Sequence, residues 1–335
     1  MEVRENISLL GMNSFGFDVS ARRLVGFASA DDLRQAFASM PSGEPWYVLG
    51  GGNNVLFTAD YGGTLLHPLY RSVTLEGDDG ERALVRVGAG AEWDDFVGWA
   101  VGRGLGGVEN LSLIPGCVGA APVQNIGAYG VEAKDTIESV ECYLPDEDRV
   151  VALSNAECRF GYRDSVFKRE LRSRAVILSV LFGLSRRPEF RLRYGDVSRR
   201  VDELGGPSLK NIREAVVAIR RAKLPDPRVL GNAGSFFKNP VVSEEQAAKL
   251  LARWPDMPRY EAGEGFVKLA AGWLIDRCGW KGRRMGPVGV HNRQALVLVH
   301  YGGGTGADVM RLARAVQRDV AERFGVRIEM EVNLL

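Results

Sequence analysis

Histidine and cysteine are scarce in this chain, with three and four respectively among 335 residues. His67, His291 and His300 show no metal-ligand spacing. Cys117, Cys142, Cys158 and Cys278 lie far apart with no CxxC pair, so neither a metal site nor a disulfide framework is expected. Long apolar runs are missing as well. No window approaches the roughly 20 apolar residues of a membrane span, and no early segment joins a basic start, an apolar run and a small-residue cleavage site. The cytosol is therefore expected, with no membrane partner. Charge of one sign is not in excess either: a net charge of +1 gives no whole-chain basic field, and nucleic acid is not an expected partner.

Glycine is abundant, at 41 of 335 residues, about 12% against roughly 7% in ordinary proteins. That surplus points to many tight turns or to ligand sites lined by backbone. Hydrophobic residues at 45% and charged residues at 25% are ordinary globular values and exclude a mostly disordered chain. The length exceeds what one core usually organises, so two or three domains are expected.

The most site-like stretch is Gly231-Asn-Ala-Gly-Ser-Phe-Phe-Lys-Asn-Pro240. It reads as a loop in which Gly231 and Gly234 free the backbone around Ser235, while Phe236 and Phe237 anchor it to a core. A tight structural turn, with Ser235 satisfying a backbone group, accounts for the same residues. Trp46 to Leu49 reads as a strand running into Gly50-Gly51-Gly52-Asn53-Asn54. Backbone N–H groups there suit a pyrophosphate, and a bare glycine turn fits equally well. Leu105 to Gly130 is a long glycine-rich passage with little periodicity, which is usually functional or disordered. Its Pro115, Cys117, Val118, Ile126 and Tyr129 argue against disorder. Cys117 suits a small residue packed beside a cofactor better than a nucleophile.

Two short strands are expected within Asn13 to Phe27, then a helix capped by Ser29 and ending at Pro41. Ala83 to Val87 reads as a strand and Glu92 to Val101 as an amphipathic helix. Thr136 to Leu144 and Arg149 to Leu153 read as a hairpin around Pro145 to Asp148, with another strand over Ala175 to Leu184. Helices follow over Ser208 to Ala222, from a Ser243 cap onward, and over Leu269 to Cys278. Ala307 to Phe324 is a long amphipathic helix, and Val326 to Leu334 reads as a closing strand. Ala295 to Tyr301 reads as a strand, and Gly302 to Ala307 then fits G-x-G-x-x-A. Only one strand remains after it, too little for a complete dinucleotide fold, so it reads as a turn before a capped helix.

Several long segments together resemble the UDP-N-acetylenolpyruvoylglucosamine reductase family, in order and over nearly the whole chain. They are Pro115-Gly-Cys-Val-Gly, Gln124-Asn-Ile-Gly-Ala-Tyr-Gly, Arg159-Phe-Gly-Tyr-Arg-Asp-Ser, Lys223-Leu-Pro-Asp-Pro, the Ser235 decapeptide, Lys268-Leu-Ala-Ala-Gly-Trp-Leu-Ile-Asp and Glu331-Val. The Tyr194 segment and the Tyr260 loop resemble its longer, type I branch. The resemblance implies an α+β fold, the FAD-binding fold of the vanillyl-alcohol oxidase/PCMH type with a separate C-terminal α/β substrate domain. Its implied divisions are residues 1–70 with 325–335, residues 71–224 and residues 225–324.

The implied reaction uses NADPH to reduce FAD and then reduces the enolpyruvyl group of UDP-N-acetylglucosamine enolpyruvate to UDP-N-acetylmuramate, in a protein expected to be monomeric. The resemblance assigns catalysis to Ser235, Arg163 and Glu331. It assigns FAD to Gly50, Gly51, Gly52, Asn53, Asn54, Ser112, Gly116, Cys117, Gly119, Ala120, Asn125 and Gly127. Asn53 departs from the family's usual Ser, which keeps the backbone role and loses a hydroxyl. Tyr194, Lys223, Asn239, Tyr260, Lys268 and Gln294 are assigned to the nucleotide-sugar, where two lysines suit a diphosphate. Without the family match, Arg163 beside Asp164 reads as a surface ion pair, Tyr194 as a half-buried aromatic and the lysines as solvated. The other readings are an FAD oxidoreductase of the same fold acting on a small alcohol, and a non-catalytic nucleotide-sugar binder.

Overall fold

The computed structural model describes residues 1–335. Its strands are β1 (Glu2–Ser8), β2 (Ser20–Phe27), β3 (Trp46–Val48), β4 (Val55–Leu56), β5 (Tyr61–Pro68), β6 (Val73–Asp78), β7 (Arg82–Gly88), β8 (Gly127–Ala128), β9 (Val131–Glu132) and β10 (Ile137–Leu144). They continue with β11 (Arg149–Ser154), β12 (Val176–Ser185), β13 (Gly231–Ser235), β14 (Val241–Ser243), β15 (Arg259–Glu261), β16 (Phe266–Leu269), β17 (Arg284–Met285), β18 (Val288–Val290), β19 (Val297–His300) and β20 (Asn333–Leu334). The helices are α1 (Ala30–Ser39), α2 (Trp93–Gly102), α3 (Val197–Glu203), α4 (Leu209–Lys223), α5 (Glu244–Arg253), α6 (Ala271–Arg277) and α7 (Gly306–Phe324). Two compact units result. Met1–Ile7, Ala21–Gly51 and Gly62–Ala222 form the first; Ser8–Ser20, Gly52–Tyr61 and Lys223–Leu335 form the second.

The first unit holds a four-stranded sheet, β1-β2-β5-β3, and a five-stranded sheet, β11-β10-β12-β7-β6. The larger sheet is antiparallel throughout. Its β10–β11 hairpin turns at Asp148, whose φ of 44° is the left-handed conformation that Asp tolerates. Val85, Val87, Val140, Val180 and Phe182 are buried from this sheet. Trp93 and Phe96 of α2 meet Phe182 with ring centroids 5.9 and 4.7 Å away. As expected, Ser29 caps α1 by accepting from the Asp32 N–H at 3.2 Å.

The second unit is built on β13-β19-β18-β17, with the smaller sheets β14-β16-β15 and β20-β4. Helix α7 contributes Val309, Leu312, Val316, Val320 and Phe324 to its core at helical spacing. Thr305 and Asp308 form a reciprocal capping box at its start. The G-x-G-x-x-A motif is therefore the turn between β19 and a capped helix.

Three readings need correction. Gly231–Ser235 is not loop but edge strand β13, antiparallel to β19, with an irregularity between Asn232 and Ser235. Gly234, at φ +69°, supplies the left-handed residue there, and its N–H bonds the Asn232 side chain at 2.9 Å. No strand forms over residues 13–19, because the Asn13 side chain ties the Leu9 and Phe17 carbonyls into a loop. The closing segment pairs only at Met330 and over β20, where it lies parallel to β4.

Candidate active site

In the first unit the glycine-rich passage is fastened along residues 89–93. Val118 and Gly119 donate to the Ala91 and Ala89 carbonyls at 2.8 and 2.9 Å, and Trp93 donates to Gly116 at 2.8 Å. A Cβ at Gly119 would meet the Ala89 methyl at 2.6 Å, so the close approach requires glycine. Gly116 sits at φ +116° with open space where a side chain would be, and Ala120 is exposed beside it. Cys117 lies under the triglycine loop: a Cβ on Gly50 would stand 3.3 Å from its sulfur. Burial pushes the Cys117 thiol up to about 11, so it is a neutral packing group and not a nucleophile.

The chain passes from the first unit to the second between Gly51 and Gly52. Gly52, at φ +65°, has no room for a side chain, because a Cβ would overlap the Met12 carbonyl. Asn53 and Asn54 follow, both partly accessible. The open backbone at Gly116 and the accessible Ala120, both in the first unit, fit a diphosphate-bearing cofactor such as FAD. Two of the polar residues assigned to it are committed inward. Ser112 is fully buried and donates to the Glu109 carbonyl at 2.6 Å. Asn125 gives both amide hydrogens to Glu132 and to the Gly161 carbonyl, and its oxygen accepts from the Lys134 N–H, each at 3.0 Å.

Asn125 thereby fixes the β8–β9 hairpin, and that hairpin fixes Arg163. The Arg163 guanidinium donates to the Gly127 carbonyl at 2.6 Å and to the Asn125 carbonyl at 3.3 Å. A Cβ at Gly127 would lie 3.1 Å from this side chain, a tight fit that would push the guanidinium by a few tenths of an ångström. Asn125, Tyr129 and Arg163 all have positive φ, at 44°, 50° and 53°. Such backbone strain costs of order 1–3 kcal/mol per residue and gathers at functional sites. Tyr194, 45% exposed, stands edge-on to Tyr129 at 6.1 Å.

Arg220 of α4 belongs to this group and is not among the residues expected from the sequence. Its Nε donates to the Leu113 carbonyl at 3.2 Å, and its side chain bonds the Tyr129 hydroxyl. Burial, the largest influence, and nearby Arg163 make its charge harder to hold, while Tyr129 and Asp94 counter them. Within an amphipathic helix Arg220 is one basic residue among several. No sequence signal separates it from the solvated ones.

In the second unit, Ser235 and Glu331 come from adjacent antiparallel segments. The Phe236 N–H donates to the Leu296 carbonyl and the Phe236 carbonyl accepts from the Glu331 N–H, both at 2.8 Å. Phe236 and Phe237 are 0% and 1% exposed, anchoring the segment while Ser235 stays partly accessible. Asn54 supports Glu331 from the other side: its side chain donates to the Glu331 carbonyl at 3.3 Å, and its own carbonyl accepts from Asn333.

Four of the expected substrate residues lie on connected parts of this unit. Tyr260 and Lys268 are direct cross-strand partners. The Asn239 side-chain oxygen accepts the first N–H of α6, from Ala271, at 3.0 Å. Gln294 approaches the same helix start, 3.4 Å from where a Gly272 side chain would be. Lys223 is exposed at the C-terminal end of α4.

The model of the UDP-N-acetylenolpyruvoylglucosamine reductase C-terminal domain matches residues 226–335, and that of an FAD binding domain matches residues 21–153. A Chromobacterium violaceum protein named UDP-N-acetylenolpyruvoylglucosamine reductase is 51% identical, covering 100% of this chain and 99% of its own. One from Bacteroides fragilis is 49% identical over 99% of this chain and 100% of its own. The chain belongs to the UDP-N-acetylenolpyruvoylglucosamine reductase family. The crystal structure of the Thermus caldophilus family member covers 100% of this chain and 99% of its own, with a TM-score of 0.71 at 24% identity, and shows the same fold. The FAD-binding match thus covers most strands of both sheets of the first unit, and the C-terminal-domain match holds Ser235, Glu331 and the Tyr260–Lys268 pair.

Proposed function

We propose that this chain is an FAD-dependent reductase that uses NADPH to convert UDP-N-acetylglucosamine enolpyruvate to UDP-N-acetylmuramate, the lactyl sugar of peptidoglycan precursors. The observation that carries the reading is the pairing of the Ser235 and Glu331 segments through Phe236, in a chain matched over its full length by reductases of that name. The glycine segments at Gly50–Asn54 and Gly116–Gly127 would hold the cofactor mainly through backbone. FAD held there would supply two-electron chemistry, coupling oxidation of NADPH to reduction of the substrate.

The protein's own groups meet the demands this makes. Hydride addition to the enolpyruvyl double bond builds negative charge on the carbon next to the carboxylate. Arg163, with its planar guanidinium held by two carbonyls, suits that charge. Ser235, on a rigid and partly accessible strand end, would donate the proton that quenches it. A hydroxyl is a weak acid, and an enolate is a strong enough base to take its proton. Glu331 would orient one of these partners. Lys223, Lys268, Tyr194, Tyr260, Asn239 and Gln294 would bind the nucleotide-sugar, the lysines meeting its diphosphate. An alcohol oxidase of the same fold has no use for Arg163, Ser235 and Glu331 together.

Stopped-flow kinetics on Ser235→Ala tests the reading. Reduction of the flavin by NADPH forms no enolate and should stay fast. Reoxidation by the enolpyruvyl substrate should fall by about 10²- to 10⁴-fold, the usual contribution of a positioned acid. Equal slowing of both steps would make Ser235 structural, and a colourless protein that takes up no FAD would remove the function altogether.

A further inference from the structure

The β14-β16-β15 sheet has one face in the core and one in solvent. On β16, Leu269 is fully buried and Val267 packs on the core, so the alternate residues Phe266 and Lys268 share the outward face. The register extends that face across the sheet. Lys268 stands between Val241 and Tyr260, and Phe266 stands opposite Ser243. Phe266 is 52% exposed and Val241 is 46% exposed.

The backbone holding Phe266 is well fixed. Its N–H donates to the Gly263 carbonyl at 3.2 Å, and Gly263 and Gly265 take the left-handed conformations, φ +93° and +77°, that close the turn. Ser243 opposite is occupied in capping α5, its oxygen accepting from the Gln246 N–H at 3.2 Å. The outward face is thus an apolar shelf of Phe266 and Val241 beside the Lys268 ammonium. Residues two apart on a strand are separated by about 6.7 Å, comparable with the span of the ribose between a base and its first phosphate. An ammonium that meets a diphosphate therefore has an aromatic ring at the distance of the base.

We infer that Phe266 is a specificity-determining contact that stacks on the pyrimidine base of the UDP-sugar, an inference that rests on the function proposed above. Stacking on an exposed ring is carried by the ring face itself and asks no hydrogen bond of Phe266.

The test compares wild type with Phe266→Ala and Phe266→Tyr as flavin-loaded enzymes. The alanine variant should raise KM for the enolpyruvyl UDP-sugar about tenfold, with kcat and the KM for NADPH unchanged, and Phe266→Tyr should restore it. The dissociation constant of UDP alone, measured by calorimetry, should rise by the same factor in Phe266→Ala. Because the side chain is exposed, melting temperature should not move. Unchanged UDP affinity in the alanine variant overturns the inference while normal wild-type turnover leaves the proposed function standing. Wild type that binds UDP but never reduces the enolpyruvyl sugar strikes the proposed function instead.

Discussion

Arg163 illustrates how much a single residue depends on its neighbours here. Two carbonyls hold its guanidinium, and its own φ of 53° is one that few side chains adopt. Arg163→Lys keeps the charge and loses the fork, so the ammonium cannot bond both carbonyls and still meet a carboxylate at two points. Turnover of the enolpyruvyl substrate should drop by about 10²-fold or more, the scale for losing one charge-stabilising donor, while KM changes less. Steady-state kinetics decides, and near-normal turnover would make Arg163 structural. The family segments named candidate residues; what each side chain bonds in the fold was not readable from them. Ser112 and Asn125 bond inward to the protein, because a polar side chain in a tight turn first satisfies the local backbone. Arg220 was invisible because its value comes from burial, which only folding creates.

At the level of elements, legibility followed periodicity and capping. Helices α1 and α7 and the β10–β11 hairpin carry cap residues, apolar spacing or turn residues in sequence, and all formed as read. Strand β13 did not reveal itself. Gly-Asn-Ala-Gly-Ser has low strand propensity, and its pairing with β19 comes from tertiary contacts on both sides. Glu331 depends on the same pairing, since its N–H bonds the Phe236 carbonyl and its carbonyl accepts from Asn54. Those bonds are made by backbone, so Glu331→Gln should leave them intact. The variant should therefore keep wild-type melting behaviour and flavin content, while reoxidation of its flavin by the enolpyruvyl substrate slows. Equal reoxidation rates in the two proteins would remove Glu331 from catalysis. Loss of flavin would show that the carboxylate holds the segment together.

The molecule as a whole stores part of its pH sensitivity in thiols that do no chemistry. Cys142 and Cys158 are fully buried in the core of the first unit, and burial, aided by neighbouring negative charge, raises both to about 12. Burial likewise holds Cys117 at about 11. In the unfolded chain these groups titrate near their ordinary value of 9.0. Above that pH the unfolded state binds fewer protons than the folded one, so stability falls as pH rises. The stabilisation is fully present below about pH 9 and drains away towards 11 or 12, on the order of 1.4 kcal/mol per thiol for each pH unit in that window. Comparing urea midpoints at pH 8 and pH 10 for wild type and for Cys142→Val with Cys158→Val isolates the effect from all other groups. Valine keeps the apolar packing and cannot ionise, so the double variant should lose distinctly less stability over that interval than wild type. Parallel losses in the two proteins would mean that these thiols ionise alike in the folded and unfolded states, and that the alkaline limit is set elsewhere.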